Sequence, residues 1–202
     1  MIDFYSAQTP NVQKVHIMLE ELGIPYTLHQ MDLKANQQKS PEYLAVNPNG
    51  KVPAIVDNDG SYGRKISVFE SGAILIYLAE KTKHFLGEND HDRAQVMSWL
   101  MFQMSGIGPI FGNFNYAKSN SIPPMANRFD VEAQRVMEVM NKQLAENQYL
   151  AGSFYSIADI STYSWMVAGM RLNPAWFEKA PNVRRWMGLI AERPAVKKAM
   201  GN

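Results

Sequence analysis

The spacing of apolar positions changes character once along the chain. In the first part, short apolar runs alternate with stretches of helical period. Ile2-Asp3-Phe4-Tyr5 reads as a strand, and Asn11–Leu22, with Val12, Val15, Leu19 and Leu22 on one face, reads as a helix ended by Gly23. Tyr26–Met31 alternates as a second strand. Ser40-Pro41-Glu42 opens a short helix, with Ser40 the expected N-cap and Pro41 in the first turn. Val52–Asp57 is a third strand, Asn58-Asp59-Gly60 a turn, and Lys65–Phe69 a fourth strand. Glu70–Lys83 returns to helical spacing through Ile74, Leu75, Leu78 and Ala79.

Past a short polar linker at residues 84–90 the strand signals stop. Asp92–Met104, Pro124–Asn147, Ile157–Met170 and Pro181–Ala191 all carry helical patterns. The expected fold class is therefore α/β plus all-α: a βαβαββα domain over residues 1–84 and an all-helical domain over 85–202. Gly106–Gly112 falls inside a helical stretch, where Pro109 is expected to kink or end the helix. Met97, Met101 and Met104 are read as core filling.

Composition narrows the chemistry. Hydrophobic residues make up 46% of the 202 positions, enough to bury a core. The formal net charge is +1 with both signs interspersed, so no basic face points to nucleic acid. There is no cysteine, which excludes disulfides, thiolate metal sites and a protein thiol nucleophile. Any sulfur chemistry must use a thiol supplied by a ligand. His16, His29, His84 and His91 have no metal-ligand spacing, so no metal is expected. The N-terminal residues lack a basic segment followed by an apolar one, and no apolar run reaches the roughly 18 residues of a membrane span. A cytoplasmic protein is the expectation.

Four motifs could carry function. Ser6–Gln13, SAQTPNVQ, joins the first strand to the first helix with hydroxyl and amide side chains. In Asn47–Ala54, Pro53 is either an ordinary strand-start proline, the simpler reading, or a cis proline that turns the Val52 main chain toward a peptide-like ligand. Glu70-Ser71 opens a helix, where free N–H groups suit a carboxylate and Glu70 suits an ammonium; taken alone, N-capping is the simpler reading. Ser156-Ile157-Ala158-Asp159 is a capping-box variant and is read as structural.

Taken together, "TPN", "NPNGKVPAIVD", "FESGAILIYLAEK" and "SIADI" occur in the order found in cytosolic glutathione transferases. The whole chain resembles that family, and the Thr-Pro-Asn turn with "GIGPIFGNFNY" is most similar to the bacterial Nu class of glutathione-dependent disulfide-bond oxidoreductases. The resemblance implies a thioredoxin-like first domain, a homodimer and glutathione as thiol co-substrate, with small-molecule or peptide disulfides as partners. It also implies roles. Val52 pairs its main chain with the cysteinyl unit, Glu70 and Ser71 hold the γ-glutamyl end, and Lys51 and Gln38 lie by the glycyl carboxylate. Thr9 and Asn11 lie by the sulfur, ahead of the rival activators Ser6 and Tyr5. Arg128 resembles a family arginine that comes from the helical domain, with Arg135 as the fallback. The implied activity is disulfide reduction. A conjugating transferase and a glutathione-binding regulatory module are the alternatives.

Overall fold

The computed structural model describes residues 1–60 and 63–201. The chain divides into two compact units, Met1–His84 with Pro194–Asn202, and Phe85–Arg193.

The first unit is built on a four-stranded sheet of order β2-β1-β3-β4, with β1 at Ile2–Ser6, β2 at Tyr26–Gln30, β3 at Ala54–Asp57 and β4 at Ile66–Phe69. β1 runs parallel to β2 and antiparallel to β3, and β4 closes antiparallel on β3. The β1–β2 connection is parallel, so it needs a crossover, and α1 (Pro10–Leu22) supplies it. Alternation along β1 buries Ile2 and Phe4 on the face that carries the core and half-exposes Asp3 and Tyr5. α2 (Pro41–Val46) has the expected Ser40 cap, whose Oγ accepts from Tyr43 N at 3.2 Å. α3 (Ser71–Thr82) packs against α1, burying Ile74, Leu75 and Leu78 with Val15, Met18 and Leu19 of α1. At the C-terminal end of β3, Asp57 is buried, paired with Lys81 and hydrogen-bonded by Tyr77 Oη at 2.7 Å.

The second unit is all helical: α4 (Asp90–Phe102), α5 (Gly108–Ser119), α6 (Pro123–Glu146), α7 (Ile157–Leu172), α8 (Ala175–Glu178) and α9 (Pro181–Ala191). The interruption expected at Pro109 arises one turn earlier. Gln103–Ile107 is a π-helical segment in which Gly108 N–H reaches Gln103 O, and α5 then starts with Pro109 in its first turn. The extra residue accommodates a proline that has no N–H to return to the preceding turn. The methionine expectation is corrected: Val96 and Leu100, four apart, take the buried face of α4, leaving Met101 45% exposed and Met97 and Met104 half-buried. Residues 194–201, read above with the helical domain, pack with the first unit. There α10 (Pro194–Met200) lies on α1, and Lys198 Nζ reaches Glu20 Oε2 at 2.7 Å. Among the described residues no helix is long and apolar enough to cross a membrane.

Candidate functional site

The first unit gathers its polar motifs at two neighbouring helix starts and one loop. β1 ends at Ser6, buried on the core face, and its carbonyl is taken by Met31 N–H at 2.8 Å. Thr9 then caps α1, its Oγ1 accepting from Val12 N–H at 3.3 Å. Capping uses a lone pair of that oxygen and leaves the O–H able to donate. Pro10 and half-exposed Asn11 form the first turn, which contains no acidic residue to offset the positive end of the helix dipole. The positive end of the helix dipole is thus uncompensated beside the Thr9 hydroxyl.

Tyr5 belongs to the other face of β1. Its ring stacks on His29 at 4.8 Å and meets Tyr43 edge-on at 5.3 Å, lining a cavity of about 340 Å³ with Met31 and Gln37. Burial, reinforced by the Asp3 charge, pushes its phenol above the ordinary tyrosine range, the wrong direction for a group meant to share charge with a thiolate.

The loop after α2 is fastened from both sides. Asn47 Nδ2 and Tyr43 Oη both donate to Lys51 O at 2.6 Å, and Asn47 Oδ1 accepts from Asn49 N–H at 3.0 Å. Gly50 sits at φ +58 with Gln38 O only 2.8 Å from where a Cβ would be, so the turn closes on the 3₁₀ segment Gln37–Lys39 only with glycine. This brings Gln38 beside the loop that carries Lys51 and Val52. Gln38 Nε2 donates to Leu33 O at 3.4 Å, while its Oε1 is buried without a partner among the described residues. Lys51 itself is exposed. The Val52–Pro53 bond is cis, the second of the two readings offered for Pro53 above; Val52 lies before β3, and no described residue hydrogen-bonds its N–H or C=O.

Glu70 and Ser71 stand at the start of α3. Glu70 has φ +67 and ψ 120, a conformation that L side chains rarely adopt. Such a backbone costs on the order of 1–3 kcal/mol and persists where the surroundings impose it, often at ligand sites. Glu70 is exposed, and Asn49 Nδ2 approaches its Oε1 at 3.4 Å. The Glu70 side chain makes no capping hydrogen bond to α3. Ser71 is buried, and its Oγ accepts from Lys14 Nζ of α1 at 3.3 Å. Burial brings the Lys14 ammonium down to about 7, opposed by the Glu70 charge. Sequence reasoning missed Lys14. Position 14 lies off the apolar stripe of Val12, Val15, Leu19 and Leu22, so the helical period gave no signal that this lysine is buried.

In the helical unit, Arg128 and Arg135 are both exposed on α6. Arg135 Nε is engaged by Glu132 Oε2 at 3.0 Å. The Ser156 motif is a structural hub. Fully buried Asp159 accepts from Leu150 N–H and Ser156 N–H at 3.0 Å and from Trp186 Nε1 at 2.8 Å. Ser156 Oγ in turn caps Ala158 N–H at 3.2 Å. Among the described residues no group of three or more His, Asp or Glu side chains could hold a metal ion.

A thioredoxin-like four-stranded sheet with its helices, followed by an all-helical unit, is the architecture of glutathione transferases. Residues 9–81 match the glutathione S-transferase N-terminal domain and residues 123–194 the C-terminal domain. The chain belongs to the glutathione S-transferase family. Over 99% of its length it is 43% identical to the disulfide-bond oxidoreductase YfcG of Escherichia coli, covering 94% of that protein. A glutathione transferase family member from Pseudomonas fluorescens, solved with two glutathione molecules bound, superposes with a TM-score of 0.95 at 38% identity, over 98% of this chain and 92% of that one. A glutathione transferase from Pseudomonas putida, solved with one glutathione disulfide bound per subunit, gives 0.91 at 36% identity, over 98% and 90%.

Proposed function

We propose that this protein is a glutathione-dependent disulfide-bond reductase. Glutathione lies along the loop and the α3 start of the first unit. The Val52 main chain pairs with the cysteinyl unit as an added strand, and Glu70 and Ser71 hold the ammonium and carboxylate of the γ-glutamyl end. Lys51 and Gln38 meet the glycyl end. Thr9 and Asn11 stabilise the sulfur as thiolate: a thiol of pKa about 8.5 becomes a better nucleophile at neutral pH when donors and a helix N-terminus favour its anion.

In the reaction, glutathione thiolate attacks one sulfur of the substrate disulfide. A mixed disulfide forms and the other sulfur leaves as a thiolate. A second glutathione thiolate then attacks the glutathione sulfur of the mixed disulfide, releasing the second substrate thiolate and glutathione disulfide. Two glutathiones are oxidised, one disulfide is reduced, and no protein sulfur takes part. The observation that carries this reading is the pairing of a cysteine-free chain with a glutathione-suited first unit. The relatives lend support: one is named a disulfide-bond oxidoreductase, and others are solved with two glutathiones or with their oxidised dimer. We place the work in the cytoplasm, where reduced glutathione is abundant, and expect a homodimer.

The name transferase on the structural relatives favours a second reading, conjugation of glutathione to an electrophilic carbon. One paired assay separates the two. With glutathione as donor, reduction of hydroxyethyl disulfide is expected to outpace conjugation of an aryl halide. The reverse ranking supports the conjugase, and tight binding with neither activity supports a regulatory module.

A further inference from the structure

The turn at Asn47–Gly50 reaches across to the start of α3. Asn47 is buried and anchors it: its Oδ1 accepts from Asn49 N–H at 3.0 Å, and its main-chain oxygen accepts from Gly50 N–H at 2.9 Å. From the other side, Lys39 Nζ donates to Asn49 O at 3.3 Å. The Asn49 main chain is thus held at both its N–H and its C=O, which fixes the place from which its side chain leaves the turn. That side chain donates from Nδ2 to Glu70 Oε1 at 3.4 Å. The contact spans 21 positions and joins the loop that carries Lys51 and Val52 to the residue that precedes α3.

Two features of Glu70 give that contact a consequence. Its backbone is committed, at φ +67 and ψ 120, but its side chain is exposed. An exposed glutamate has rotamer freedom to lose when a ligand fixes it, and a donor already on one oxygen removes part of that cost. The carboxylate has acceptor sites for several donors, and one amide N–H leaves the others open. The donor is also of the right kind. A lysine or arginine in its place would neutralise the carboxylate and compete with an incoming ammonium, whereas an amide orients the group and leaves its charge for the ligand. We propose that Asn49 is a positioning residue: its amide holds the Glu70 carboxylate in place for the γ-glutamyl ammonium without neutralising it. The inference rests on the glutathione reading above. Asn49 acts through Glu70, and its part in the turn is carried by its main chain, which an alanine would keep.

The test is calorimetric titration of the full-length wild type and Asn49→Ala with two ligands. One is S-methylglutathione, whose thiol is blocked. The other is its analogue with a glutaryl group in place of the γ-glutamyl one, which differs only in lacking the ammonium. Wild type is expected to bind S-methylglutathione about tenfold more tightly than the analogue. Asn49→Ala is expected to lose about fivefold in affinity for S-methylglutathione but less than about 1.5-fold for the analogue, where the oriented carboxylate has no ammonium to meet. Its melting temperature should stay within about two degrees of wild type, because the hydrogen bonds of the turn remain. Equal losses for both ligands would place the effect in the loop and overturn the inference, as would unchanged affinity for both. Equal wild-type affinity for the two ligands overturns it without any variant. If wild type binds neither ligand, the glutathione reading fails, and this inference with it.

Discussion

Two helix starts in this protein are written in nearly the same letters and do different things. At α7, Ser156 and Asp159 form a closed box. The carboxylate is fully buried and its acceptors are filled by two main-chain N–H groups and the Trp186 indole. At α3, the Glu70 side chain makes no capping hydrogen bond, and Glu70 is exposed on a left-handed backbone. Both pairs put an acid and a hydroxyl where helix propensity likes them. What separates them is their local geometry: α7 starts on a closed box of hydrogen bonds, whereas α3 starts on a strained Glu70 whose side chain makes no cap.

That contrast breaks most visibly at Asp159. Asp159→Ala strands the Leu150 and Ser156 N–H groups and the Trp186 indole in the core, at about 1–3 kcal/mol for each unsatisfied group. A loss of about 4 kcal/mol is expected in denaturant unfolding. The folded fraction should keep its glutathione affinity. A stability change below about 1 kcal/mol would mean that the box is ornamental.

The same carboxyl gives a pH signature. Burial raises Asp159 from 3.8 to about 6, against the lowering effect of its donors. The folded state therefore holds a proton that the unfolded state has lost between those two values. The contribution to stability is complete below about pH 4 and is lost as the pH rises through about 6. The full swing is up to about 3 kcal/mol. Asp159→Asn, which cannot titrate, should flatten that part of the pH–stability curve.

Glu70 should show the opposite combination. Glycine accepts φ +67 without a Cβ penalty, so Glu70→Gly should raise stability by about 1 kcal/mol. Loss of the carboxylate should weaken glutathione binding about tenfold, roughly 1.4 kcal/mol. Smaller still, Asn11→Ala should lower the disulfide-reductase rate several-fold with little change in stability. Tyr5→Phe, on the opposite face of β1, should change the rate by less than about twofold, and a large loss would move thiolate activation to the phenol.

Much of this was legible in the residues. The four strands and the long helices announce themselves by period, and Ser40, Gly23 and the Ser156 box behave as their types require. Three features were hidden for physical reasons. A cis Val52–Pro53 bond leaves no mark in spacing, since an ordinary strand-start proline looks identical. The π segment at Gln103–Ile107 relocates an interruption that Pro109 advertises one turn too late. Lys14 was passed over because helical period scores it as one polar residue among many; only the fold shows it buried against Ser71, 57 positions away.

The central claim is that the α3 start is kept for glutathione while the α7 start is kept for the fold. It is tested most directly by the shift in melting temperature that millimolar glutathione produces in three proteins, since a ligand that binds the folded state stabilises it by mass action. Wild type and Asp159→Asn should both gain several degrees, the latter from a lower starting point, while Glu70→Gly starts higher and gains much less. Equal gains in wild type and Glu70→Gly would contradict the account.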